Sequence, residues 1–228
     1  MVLSTFLVAL LALALSTAHA CGNHDKSSPS FAIGNDGPAD PATLGYTLNH
    51  FALLTHNITA VKHFYGEILG MRTVFSFGAN TPFEVLYMGY SHGGKNGTGY
   101  QTGEQLYSEK NNIEGLLEFL YVEDCKDSTA FIPTTVRPSS FSHIGLIVPD
   151  LEATQGRMQA YGVSILKRIG LPIEPGSPAA LVFGYASNTA AARAALMGAQ
   201  TLGFDSFLLV TDPDGNLLEI QQQVSDVV

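Results

Sequence analysis

Two histidines and two glutamates stand out because each interrupts an otherwise apolar run. His50 lies in LNHFALLTHNIT (Leu48 to Thr59) and His143 in FSHIGLIVPDLE (Phe141 to Glu152), each ahead of a helix-start signal. Glu118 interrupts LLEFLY and Glu219 interrupts LLEIQQ, each preceded by Leu-Leu and followed by an apolar residue. A carboxylate in such a run is costly to bury unless it is paired or bound to a metal. Any one of the four, taken alone, reads as a polar residue on a solvent face. All four in register across a repeat read as a four-ligand site, His50, Glu118, His143 and Glu219, for a borderline divalent ion.

The elements that must position them repeat. In the first half YTLNHFALLT is a strand with Leu48, His50, Ala52 and Leu54 on one face. NITAVKHFYGEILG follows as a helix, with Asn57 as N-cap, Ile58, Val61, Tyr65 and Ile68 at helical spacing, and Gly70 as stop. Strands are predicted over 72–77, 83–88 and 116–122. In the second half FSHIGLIV is a strand, and Asp150 caps a helix LEATQGRMQAYG that presents Leu151, Met158 and Tyr161 and ends at Gly162. Strands are predicted over 163–167, 180–185, 206–211 and 216–221. The pattern implies an α+β protein of two βαβββ modules, residues 46–125 and 141–223, joined by a linker over 126–140.

Composition supports a sizeable core and narrows the partners. Of 228 residues 46% are hydrophobic, and the net charge is −9 with only 11 Lys plus Arg, which repels nucleic acid. Residues 1–20 read as a cleaved secretory signal: an apolar run from Phe6 to Leu15, then Ala18-His19-Ala20 before Cys21. Residues 21–45, rich in Ser, Pro, Gly, Asp and Asn, read as a flexible leader. Secretion would permit a bridge between Cys21 and Cys125, the two cysteines, and glycosylation of the sequons at Asn57 and Asn96. After signal cleavage nothing anchors the chain to a membrane.

The stretches LNHFAL…FYGEILGMR, FSHIGLIVPDLEA and TDPDGNLLEI resemble the vicinal oxygen chelate superfamily, within it the glyoxalase I (lactoylglutathione lyase) type, over roughly Tyr46 to Gln223. The resemblance implies two βαβββ modules whose curved sheets form a cleft around one divalent ion, nickel, cobalt or zinc, held by His50, Glu118, His143 and Glu219. It implies a metal-stabilised enediolate, with Glu219 as the base and Glu118 sharing the proton transfer. The reaction would convert a 2-oxoaldehyde hemithioacetal to a 2-hydroxyacyl thioester. Where the glyoxalase I pattern has an arginine and an asparagine that hold glutathione, this chain has Leu54 and Val122. Apolar side chains there leave the thiol partner open.

Two excursions break the repeat. Residues 89–112 are Gly-rich and read as a mobile surface loop in which His92 could touch substrate. The alanine-rich run between Gly184 and Phe204 favours a short helix, capped by Asn188, that either roofs the cleft or packs outside it. His56 and His63 read as solvated, and Asp212 and Asp214 as turn residues. Alternatives from other classes are an extradiol-type dioxygenase using His50, His143 and Glu219 on iron, an epimerase, and a non-catalytic binder of a small metabolite. The partner is a small-molecule substrate, and the protein a monomer or homodimer.

Overall fold

The computed structural model describes residues 32–125, 131–136, 139–185 and 189–223. The signal-like run, Cys21 and the side chain of Cys125 lie outside the described residues, and with them the question of a disulfide.

Eight strands form two four-stranded mixed sheets with the same topology. The first has β1 (His50–Thr55), β4 (Leu116–Val122), β3 (Phe83–Gly89) and β2 (Arg72–Phe77) in that order across the sheet. The second has β5 (His143–Val148), β8 (Leu217–Gln222), β7 (Leu208–Thr211) and β6 (Ile165–Lys167). In each, the first and last strands of the module pair in parallel and the other neighbours are antiparallel. The two βαβββ modules expected from the sequence are present.

Each module places its helix where the period-two alternation of its strands turns the largest apolar residues. Helix α1 begins as an α-helix (Ile58–Val61), N-capped by the Asn57 side chain, and continues as a π-helix (Lys62–Ile68). The widened turn buries Phe64, Tyr65 and Ile68 together. Helix α3 (Leu151–Ala160) is N-capped by Asp150 and buries Leu151 and Met158. Leu117 and Phe119 of β4, Leu208 and Val210 of β7, and Leu218 and Ile220 of β8 join these helix residues in one core shared by both modules. Arg157 of α3 stitches the modules together by donating to the Ile68 and Glu67 carbonyls, 2.7 Å each, at the orphaned end of α1. Tyr65 Oη donates to Asp212 Oδ2 at 3.0 Å, tying α1 to the β7–β8 turn.

The excursions carry more helix than the sequence implied. The Gly-rich segment includes α2 (Gly103–Glu109), opened by a capping box of Thr102 and Gln105. The strand predicted over 180–185 is instead helix α4 (Pro178–Val182), because Ser177 caps it and Pro178 supplies the first-turn φ. Helix α5 (Ala190–Thr201) is capped by Thr189, not by the residue before it.

Candidate metal-binding site

Register places each histidine and its glutamate on one face of one sheet. His50 pairs with Leu116 and Ala52 with Glu118 across the parallel β1–β4 ladder. The β5–β8 ladder repeats this with His143 against Leu217 and Gly145 against Glu219. His50 Nε2 lies 3.3 Å from Glu118 Oε2, and His143 Nε2 lies 3.6 Å from Glu219 Oε2.

Hydrogen bonds fix both imidazoles in the same tautomer. Asn49 Nδ2 donates to the Lys110 and Ile113 carbonyls, so its Oδ1 is the acceptor that faces His50 Nδ1 at 2.9 Å. Ser142 Oγ donates to the Val182 carbonyl at 3.1 Å and so accepts from His143 Nδ1 at 2.8 Å. Each Nδ1 therefore carries a proton, and each Nε2 faces its glutamate, the edge by which a histidine held this way ligates a metal. Glu219 adds a second sign. Its side chain is 6% exposed; Oε1 accepts from Gln221 Nε2, while Oε2 is buried without a hydrogen-bond partner. A buried carboxylate oxygen in that state is stabilised by a cation. The donor set fits a divalent ion.

The four residues come together two by two. Among the described residues no group of three or more metal-ligating side chains gathers. Leu117 and Phe119, and Leu218 and Ile220, turn into the shared core, so Glu118 and Glu219 each lie on the sheet face turned away from it.

Each pair has its own surroundings. On the first sheet Tyr87 Oη stands 3.3 Å from His50 Nε2, and burial, then the Glu118 carboxylate, push that hydroxyl's pKa up. Leu54 and Phe77, on the same face, are 50% and 68% exposed. On the second sheet α4 covers the face beside the pair, with the Phe183 ring 5.0 Å from His143. The Lys167 ammonium, lowered to about 8 by burial, is held by the Arg168, Asp205 and Phe207 carbonyls and is no free cation. Opposite the glutamates stand Ala52 and Gly145, and a Cβ at Gly145 would meet nothing within 4 Å.

The other candidates have settled roles. His92 lines a cavity of about 810 Å³ between the modules, along with Phe51, Leu117, His143 and Ile144. His56 meets Asp214, and His63 pairs with Glu67. Asp212 Oδ1 accepts from the Asp214 and Asn216 amides, as a turn residue does. Asn49, Tyr87, Ser142 and Phe183 were not singled out from sequence. The small polar residue just before each histidine was the available signal for two of them.

The profile of the Glyoxalase/Bleomycin resistance protein/Dioxygenase superfamily matches residues 47–173. That is more than half of the chain, and the protein belongs to this superfamily. No curated protein matches it. Among solved structures it is similar to the trypanothione-dependent glyoxalase I of Leishmania major, at 15% identity and a TM-score of 0.46, covering 78% of this chain and 88% of that one. It is similar to glyoxalase I of Zea mays, at 13% identity and a TM-score of 0.44, covering 78% of this chain and 45% of the maize chain. TnmS3, an antibiotic binding protein from a Streptomyces species, is 14% identical with a TM-score of 0.39, covering 78% of this chain and 97% of that one.

Proposed function

We propose that the protein is a secreted, divalent-metal isomerase of the glyoxalase kind that works as a homodimer. His50 and Glu118 of one copy and His143 and Glu219 of the other together hold one ion, and twofold symmetry makes two such sites. The observation that supports this is the matched tautomer of the two histidines, each aiming Nε2 at a glutamate on a sheet face turned away from the shared core. Leu54 and Phe77 give the open first sheet an apolar surface for a second copy.

When bound, the ion supplies a Lewis acid for two neighbouring substrate oxygens. The chain's own residues supply the rest. Glu219, buried and with Oε2 unpartnered, takes the proton from the carbon that bears sulfur. Glu118 stands beside the Tyr87 hydroxyl and shares in returning the proton to the neighbouring carbon. Gly145 leaves room for the substrate beside Glu219. The product is a 2-hydroxyacyl thioester made from a 2-oxoaldehyde hemithioacetal.

Metal analysis with light scattering, followed by assay of methylglyoxal with a thiol, tests this reading. It predicts a dimer, about one ion of nickel, cobalt or zinc per chain, and thioester formation. Iron in the site, or no turnover with the metal present, contradicts it.

A further inference from the structure

Two cavities adjoin along β5, an edge strand of the second sheet. The first, of about 810 Å³, has Met71, Leu117, Phe141, Ile144 and Leu146 among its walls. The second, of about 640 Å³, continues past Ile68, Leu69, Val148 and Met158. They share Tyr90, Ser91, Gly97 and Leu146, so one largely apolar trough follows the strand. Its walls are mostly residues of the core between the modules, and it meets the histidine–glutamate face only at the edge of β5, through His143 and Gly145.

The first cavity also has a polar end. The chain leaves β3 at Gly89 and enters β4 at Leu116 side by side, since Met88 pairs with Leu117. This brings Ser91, His92, Asn112 and Glu114 to the lining. Ser91 Oγ is buried without a hydrogen-bond partner. Among the described residues nothing pairs with the exposed carboxylate of Glu114. The basic groups of the lining are taken. His92 Nδ1 faces the Tyr90 carbonyl at 3.2 Å and its Nε2 faces Glu109 at 3.6 Å, while Arg157 donates to the Ile68 and Glu67 carbonyls.

We infer that the trough binds an elongated amphipathic amine, with its ammonium at Glu114 and its apolar chain along β5. A primary ammonium carries three donors, and the acceptors at the polar end are the Glu114 carboxylate, the Asn112 carboxamide oxygen and the Ser91 hydroxyl. A carboxylate or phosphate head would meet the like charge of Glu114 with no free cation to offset it, in a chain whose net charge is already −9. A neutral alcohol would satisfy Ser91 and leave the Glu114 charge to water. Behind the head, the methionine, leucine and isoleucine walls favour each methylene that leaves water. The site is separate from the isomerase reading and uses no metal ion.

Calorimetric titration at pH 7 with octylamine, 1-octanol and octanoate tests this. Octylamine should bind about 5- to 10-fold more tightly than 1-octanol, and octanoate more weakly than either. Hexylamine should bind about 10-fold more weakly than octylamine, because two methylenes fewer are buried. Glu114→Gln, at an exposed position, should bring octylamine down to the affinity of 1-octanol and leave 1-octanol unchanged. A chelator should alter none of these affinities. An amine preference that is absent, or that survives Glu114→Gln, overturns the assignment of the head. Equal binding of hexylamine and octylamine overturns that of the chain. Loss of octylamine binding on chelation puts the amine on the metal and overturns the separate site, as does binding of none of the three.

Discussion

Glu118 and Glu219 occupy the same register position in their two sheets, one opposite Ala52 and the other opposite Gly145, each two residues past the partner of its histidine. Each sheet holds its histidine–glutamate pair on the face turned away from the core that joins the modules. The same parity that buries Phe119 and Ile220 in the core turns Glu118 and Glu219 to the other face of each sheet.

The state of Glu219 leads to a double outcome for Glu219→Gln. Turnover should fall by about 100-fold or more, since the base is gone. Metal-free protein should become more stable by about 1–3 kcal/mol, because a buried carboxylate with an unpartnered oxygen is replaced by a neutral amide. Urea denaturation with and without chelator checks this. A variant less stable than wild type when both lack metal would contradict the assignment of Glu219 as a metal-dependent buried charge.

Ser142→Ala removes the acceptor that keeps the proton on His143 Nδ1. The ring is then free to take the other tautomer or turn away. Metal affinity should drop about 10–100-fold with the fold intact. Competitive titration against a chromogenic chelator reads the change, and an unchanged affinity would mean that Ser142 does not orient the ring.

Asp212 ties the modules and is sensitive to pH. Burial pushes its carboxyl up to about 6 from an ordinary 3.8. A folded value above the unfolded one means that the folded state holds the proton more tightly between those values. The stability this contributes is full below about pH 4 and lost as pH rises through about 6, by about 3 kcal/mol in all. The difference in urea stability between wild type and Asp212→Asn should shrink over that window as pH rises. A difference that grows would reverse the sign.

Arg157 donates from two nitrogens to the carbonyls that end α1 and lies over the Tyr161 ring at 4.9 Å. Arg157→Ala should cost about 2 kcal/mol, and the loss should appear in both modules at once because they share one core. Hydrogen exchange would show it. Protection lost only in the second module would mean the bridge is not a coupling element.

Much of this architecture could be read from the chain. Asn57, Asp150 and Gly70 announced their caps and stop, and the alternation around His50, Glu118, His143 and Glu219 placed each on a strand face. Helix α4 was misread because Leu181, Val182 and Phe183 look like a strand, whereas Ser177-Pro178 just before them starts a helix. What covers each face was not legible, since alternation tells which residues share a face and not what packs on it. Phe183 reached His143 only through an excursion with no counterpart in the other module.

Complementation tests the shared site most directly. Glu118→Gln and Glu219→Gln proteins are each inactive alone, because every site in either homodimer lacks one carboxylate. After mixing and subunit exchange, a heterodimer has one site with both carboxylates replaced and one intact site. A shared site predicts recovery of about a quarter of wild-type activity at random exchange. A mixture that exchanges subunits and stays as inactive as its components would contradict it.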